Sequence, residues 1–410
     1  MKNFLATALL LSSLLSAEAQ KVDYPLIQET VEFLSSDALK GRSTGTYGEE
    51  VAAQYIATKM KMMGLKPMGT EGYFQHFSVT PKANPHAAES DKVGEPINGM
   101  NVVGFLDHQK EQTIVIGAHF DHLGEGGEGS LYAGKEPQIH NGADDNASGV
   151  ALLLALAEEM VDDPEDFQAN NYLFIAFSGE EKGLWGSNYF CKNPTIDLST
   201  VNFMLNFDMV GRLDLDKGLA INGVGTSPFW EKAIPEANED SIKLITSESG
   251  VGPSDHTSFY LQDIPVLHFF TGQHEDYHKP SDDADKVNIE GIVMIQELIS
   301  DLVELSPEQK KIEFTKTKDE SESTPRFKVT LGVMPDYMFQ GEGMKIDGVT
   351  EGRPAHKAGF QKGDVVIQMG EHKVDGMMAY MKALSKFKSG DETVVKVKRG
   401  EEVVEAEVIF

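Results

Sequence analysis

Histidine and carboxylate residues in this 410-residue chain collect just after apolar runs, where they could do chemistry together. Ile114-Val115-Ile116 leads into His119 and Asp121, a glycine-rich loop returns to Asp144-Asp145, and Ala147-Ser148-Gly149 opens an apolar helix. Histidine and carboxylate gathered where a strand meets a loop suit a hard-to-borderline divalent cation, zinc before others. Glu180-Glu181, Asp208 and His278 follow three further apolar runs in the same way. Any one of them alone would ordinarily be a solvated loop residue or a helix cap. Together, acidic and histidine sites converging on one sheet edge would accumulate like charge at a cost that cations among them offset. Two cations satisfy the count, with about three protein ligands each and a position left for water.

The elements that must position these residues read as alternating strands and helices. Buried strands are expected at Thr113 to Gly117, Tyr172 to Phe177, Val201 to Phe207 and Pro265 to Phe270, with a helix over Val150 to Met160. Such alternation predicts an α/β fold with a mixed, mainly parallel sheet and helices on both faces. Ligands of such sheets bind beyond the carboxyl ends of the strands, where every residue named above lies. From Tyr24 to about Lys66 apolar residues recur at helical spacing, interrupted by the polar turn Gly41 to Thr46. Val79 to Glu95 reads as a loop, Met100 to Leu106 as a strand and Ile289 to Leu305 as a helix.

Composition narrows the function classes. A formal net charge of −29 argues against nucleic acid and anionic membrane surfaces as partners, because phosphates would be repelled. The opening MKNFLATALLLSSLLSAEAQ has a basic residue, an apolar run too short for a membrane span and a small-x-small site at Ala17-Glu18-Ala19. It reads as a cleaved signal peptide over 1–19, so the chain is expected to be exported to a periplasm or the exterior without a membrane anchor. Cys191 is the only cysteine, so stability must come from the core and bound metal rather than from disulfides.

Six phrases in fixed order carry a resemblance: AHFDHLG, NGADDNASGVA, AFSGEEKGLWGS, NFDMVGR, SDHTSF and YHKPSDD. Over roughly residues 24 to 306 the chain resembles the co-catalytic zinc aminopeptidases, the group of aminopeptidase S, aminopeptidase Y and the secreted bacterial leucine aminopeptidases. The resemblance implies a zinc exopeptidase fold binding two Zn2+ ions and acting on peptides with a free N-terminus. It places His119 and Asp208 on one zinc and Glu181 and His278 on the other, with Asp145 bridging. It makes Glu180 the general base, gives Asp121 the task of orienting His119, and offers Tyr277 as a hydrogen-bond donor to the substrate carbonyl. It also implies a cis Asp145-Asn146 peptide. His122, His140, His256, His268 and His274 fall outside the two-zinc count and read as packing or hydrogen-bonding residues, Asp144 reads as a cap or supporting group, and Asp255 fits a motif without a mechanism. Glutaminyl cyclase chemistry uses a related fold with a single zinc. A carboxypeptidase or dipeptidase would need a cation for the substrate carboxylate, with Arg212 or Arg42 as candidates.

Beyond the catalytic unit (20–306), the charged stretch 307–325 reads as a linker. Residues 326–410 follow a different pattern: a strand at Phe327 to Leu331, a turn at Glu351 to Ala355, a helix around Gly376 to Phe387, and two closing strands joined at Arg399-Gly400. GRPAHKAGFQKGDVVIQMG is similar to a PDZ domain of the bacterial protease type, a small β-rich module. Such modules take a peptide C-terminus as an added strand, and Leu331-Gly332-Val333-Met334 is the candidate carboxylate loop. The alternative task for this module is packing against the catalytic domain or gating its cleft.

Overall fold

The computed structural model describes residues 24–81, 94–127, 129–238, 241–306, 310–317, 329–336, 339, 341–350 and 352–410. The expected signal peptide, much of the expected loop before residue 95 and most of the expected linker lie outside them. The N-terminal unit is organised by strands that are buried along their whole length. β4 (Thr113–His119), β5 (Asn171–Phe177) and β6 (Val201–Phe207) are buried at every position, as strands covered on both faces must be. With β9 (Val266–Phe270) they form a parallel core in the order β5-β4-β6-β9. Parallel pairing is confined to this centre and to the outer pair β7 (Leu219–Asn222) and β8 (Leu244–Ser247). β3 (Ile97–Leu106) and β7 join the core antiparallel, and β1 (Lys66–Pro67) and β2 (Phe74–Val79) pair antiparallel with β3. The sheet is therefore more evenly mixed than its sequence suggests.

Side chains alternate between the two faces of the sheet. Ile114 and Ile116 of β4 enter a core covered by α1 (Pro25–Leu34), α2 (Tyr47–Met62), α3 (Gly149–Asp162), α5 (Trp230–Ala237) and α7 (Ile289–Glu304). Val115 enters the opposite core with Phe190 and Cys191 of α4 (Trp185–Lys192) and Phe259 and Tyr260 of α6 (His256–Tyr260). Local chemistry fixes the helix starts. Thr46 caps α2 by accepting from Glu49 N–H at 3.4 Å, and Asn288 caps α7 by accepting from Gly291 N–H at 3.0 Å. No helix among the described residues is long and apolar enough to cross a membrane.

Residues 310–317 continue along the N-terminal unit. Ile312 N–H donates to Asn202 Oδ1 at 2.9 Å, Thr315 N–H to the Thr226 carbonyl at 2.8 Å and Thr317 N–H to Tyr260 Oη at 3.0 Å. The C-terminal unit has its own core, built from residues such as Leu331, Ile346, Val366 and Val395. Its sheet runs β10 (Val333–Pro335), β11 (Met344–Val349), β12 (Val365–Met369), β14 (Glu392–Arg399), β15 (Glu402–Ile409), with β13 (His372–Lys373) on β12. α8 (Pro354–Lys357) and α9 (Met377–Leu384) complete it. The strand expected over Phe327 to Leu331 is not present in its described part. Pairing starts at Val333, after Gly332 has turned the chain with φ +72°.

Candidate active site

The parallel register brings four strand ends level. His119 lies opposite Phe177, and Phe207 opposite Phe269, so the residues that follow emerge along one edge. At that edge His119 Nε2 is 3.4 Å from Asp145 Oδ1 and 3.5 Å from Asp208 Oδ1. On the other side of Asp145, His278 Nε2 is 3.2 Å from Asp145 Oδ2 and 3.3 Å from Glu181 Oε2. Asp145 thus presents one oxygen to each half of the cluster. His119, Asp145 and Asp208 have ligand atoms close enough to share one cation, and so do His122, Asp145 and Glu181. The Asp145-Asn146 peptide is cis.

Two imidazoles face the Asp145–Glu181 pair, and their second nitrogens distinguish them. His278 Nδ1 is 2.8 Å from the Gly129 carbonyl, and His119 Nδ1 is 3.2 Å from the Asp121 carbonyl. A ring held through one nitrogen by a carbonyl, with the other nitrogen free for a cation, is the usual posture of a metal-bound histidine. His122 is held the other way round. Its Nδ1 lies 2.7 Å from Glu181 Oε1, while its buried Nε2 has no partner. Asp121 meets His119 mainly through its carbonyl, the carboxylate being 3.7 Å away. That carboxylate instead accepts from Glu180 N–H at 3.1 Å and from the Thr44 hydroxyl at 3.0 Å. Tyr277 stacks on His278 with ring centroids 3.8 Å apart.

The electrostatics call for positive charge. Burial opposes it, yet Asp208, with the carboxylates of Asp121 and Asp145 close by, holds the His119 imidazolium well above its ordinary value. His278 is raised in the same way against burial, first by Glu181. Against burial and Asp145, His278 and His122 pull Glu181 down to about 2. Glu180 behaves oppositely: burial, reinforced by Asp208, Glu181 and Asp255, pushes it well above the carboxylate range. The donor set of carboxylate oxygens and imidazole nitrogens fits zinc, with protons doing in the bare chain what cations would do.

Groups that sequence spacing does not reveal hold this arrangement from behind. Asp282 Oδ2 accepts from the N–H of Asp144 at 2.9 Å and of Asp145 at 3.1 Å. The Asn146 amide brackets Asp208, donating to the Phe207 carbonyl at 2.9 Å and accepting from Met209 N–H at 3.1 Å. Asp144 accepts from Gly211 N–H at 2.6 Å and faces His274 Nε2 at 3.1 Å. Arg42 is not free to receive a substrate carboxylate, and Arg212 is already held by two carboxylates through Nη2. Fully buried Arg42 donates to the carbonyls of Leu34, Phe120, Asn141 and Gly142. Arg212 Nη2 reaches Asp282 at 3.0 Å and Asp276 at 3.3 Å. Of the other histidines, His140 Nε2 lies 2.7 Å from Ser130 Oγ, and His256 and His268 stack at 4.5 Å. Asp255 is fully buried, and burial pushes its carboxyl up to about 7.

Residues 101–303 match the sequence profile of peptidase family M28, and residues 312–410 match that of a PDZ domain. The chain is a member of peptidase family M28. It is 29% identical over 251 residues to Aminopeptidase YwaD of Bacillus subtilis, covering 58% of this chain and 50% of that protein. The chain spans only about half the length of the curated relatives it matches. Two solved structures share the fold of the M28 unit. One is a zinc aminopeptidase from Bacillus subtilis, with TM-score 0.54, 19% identity, and 70% of this chain and 97% of that chain covered. The other is a Bacteroides thetaiotaomicron glutaminyl cyclase, with TM-score 0.55, 17% identity, and 69% and 98% covered. The fold therefore hosts both chemistries, and the site must decide between them.

Proposed function

We propose that this M28 member is an exported di-zinc aminopeptidase that removes the N-terminal residue of peptides. The observation that carries the reading is the shared Asp145. Its two oxygens face two separate histidine–carboxylate sets, His119 with Asp208 and His278 with Glu181, and Glu180 stands beside them. Zinc ions held by these five residues would supply Lewis acidity toward water and the scissile carbonyl. Glu180 is a neighbour of a ligand without belonging to either set, so its carboxylate stays available as the base that takes a proton from the attacking water. The same group then returns that proton to the departing amine. Asp121 keeps Glu180 in place through its main-chain N–H and steadies His119. Tyr277, packed flat on His278, is the donor assigned to the substrate carbonyl.

Selection of the amino end follows from charge. The carboxylates gathered around Asp145, Asp208 and Glu181 favour a substrate ammonium, whereas fully buried Arg42 is engaged by four carbonyls and Arg212 Nη2 already reaches Asp276 and Asp282. A peptide beginning with glutamine tests the chemistry directly, with products followed by mass spectrometry. Release of the first residue supports the aminopeptidase, and loss of ammonia with the chain intact would make the protein a cyclase. We assign export to the leader at 1–19, catalysis to 20–306, a connecting role to 307–325, and capture of peptide C-termini to the PDZ domain at 326–410.

A further inference from the structure

The polar turn before α2 and that helix's first residues take no part in the chemistry above, yet they reach into its foundations. Glu49 sits three residues after the Thr46 cap, where a glutamate usually bends back in solvent to the cap's own N–H. Here it is 1% exposed and turned inward. Its carboxylate accepts from Gly45 N–H, from Met100 N–H of β3 at 3.4 Å and, in a short contact, from the Ser178 hydroxyl. Among the described residues it forms no ion pair. Burial pushes its carboxyl up to about 7, a cost that a solvated cap would not carry.

What Glu49 holds is informative. Ser178 directly follows β5 and leads into Gly179-Glu180-Glu181, and Ser178 Oγ also lies 3.4 Å from Thr44 Oγ1. Thr44 in turn donates to Asp121 Oδ2 at 3.0 Å, and Asp121 Oδ1 accepts from Glu180 N–H at 3.1 Å. Two routes from this turn, Glu49 to Ser178 and Thr44 to Asp121, thus meet at the main chain of Glu180.

We propose that Glu49 is a positioning residue for the peptidase centre: with Thr44 it fixes Ser178 and Asp121, and through them the backbone that carries Glu180 and Glu181. The inference rests on the reading of Glu180 as base and Glu181 as metal ligand. It is tested in the full chain with Glu49→Ala, Glu49→Gln and Thr44→Val, measuring zinc affinity, kcat and KM on an aminoacyl anilide, and thermal unfolding. Glu49→Ala should lower both kcat at saturating zinc and zinc affinity by about 10- to 100-fold, as loss of supporting hydrogen bonds around metal sites does. KM should move by less than about threefold, since the substrate contacts remain. Glu49→Gln, which still accepts from Ser178, should recover most of the loss. A residue that merely caps α2 would lower the melting temperature and leave kcat per folded molecule and zinc affinity unchanged, which overturns the proposal. Should the unmutated protein bind zinc but cleave nothing, the peptidase reading fails on its own. The zinc affinities of Glu49→Ala and wild type then still decide the positioning role: weakening supports it and equality overturns it. If Glu49→Ala does not fold, Thr44→Val decides by the same comparison.

Discussion

Replacing Arg42 by methionine isolates the device that holds the metal-facing loops together. The guanidinium donates at 2.6 Å to the Phe120 carbonyl, between His119 and Asp121, and at 2.6 Å to that of Gly142, just before Asp144-Asp145. It also reaches Asn141 and, at 2.8 Å, Leu34 at the end of α1. Each hydrogen bond to a charged group contributes about 1.5–3 kcal/mol. Burial of the guanidinium, which lowers its pKa to about 10, takes back several kcal/mol of that gain. Methionine leaves the carbonyls of Leu34, Phe120 and Asn141 without this donor, while that of Gly142 keeps Ala147 N–H at 3.2 Å. At about 1–3 kcal/mol for each buried acceptor left unpaired, offset by the relieved cost of burying the charge, the net loss is about 3–5 kcal/mol. For a unit of this size that lowers the melting temperature by about 10 °C. Thermal unfolding in chelator, followed by zinc titration, measures both the stability loss and the loosening of the site. Zinc affinity should fall alongside stability, and Arg42→Lys should fall short of wild type because an ammonium lacks the planar fork. A variant of unchanged stability and zinc affinity, altered only in KM, would refute the reasoning and return Arg42 to the role of substrate clamp.

Glu180→Gln should keep its zinc and lose turnover by about 10³- to 10⁴-fold, because an amide cannot accept the proton; metal analysis beside steady-state rates checks both halves. Asp145→Ala should abolish binding at both positions, since each set of ligands includes this residue, and a variant that still holds two zincs by calorimetry would contradict the bridge. Removing residues 326–410 should leave hydrolysis of short aminoacyl substrates intact if the PDZ domain recruits peptides, whereas a folded but inactive truncation would assign it a gating or structural role.

The parts of the fold that were legible are those where burial leaves one choice. β4, β5 and β6 are buried throughout and mainly apolar because helices cover both faces, and their ends mark where the chemistry emerges. β7 and β8 escaped notice because they are four residues long, and β8 is half solvated. α5 carries Pro235 inside it and α6 is only five residues long, so neither shows a helical period. In the PDZ domain the first strand among the described residues begins at Val333, after Gly332 has redirected the chain. At the site, residues that directly follow strands could be picked out by type and spacing. Their supports could not. Asp282 reaches Asp145 across 137 residues and Glu49 reaches Ser178 across 129, and no local pattern records such hydrogen bonds.

The most direct measurement is hydrolysis of a panel of aminoacyl anilides and their N-acetylated counterparts by the mature protein, before chelation, after it, and after zinc return. The account predicts cleavage of the free-amine substrates alone, lost with the metal and restored at two zinc ions per chain. Cleavage of acetylated and free substrates alike, or activity indifferent to chelation, would contradict it.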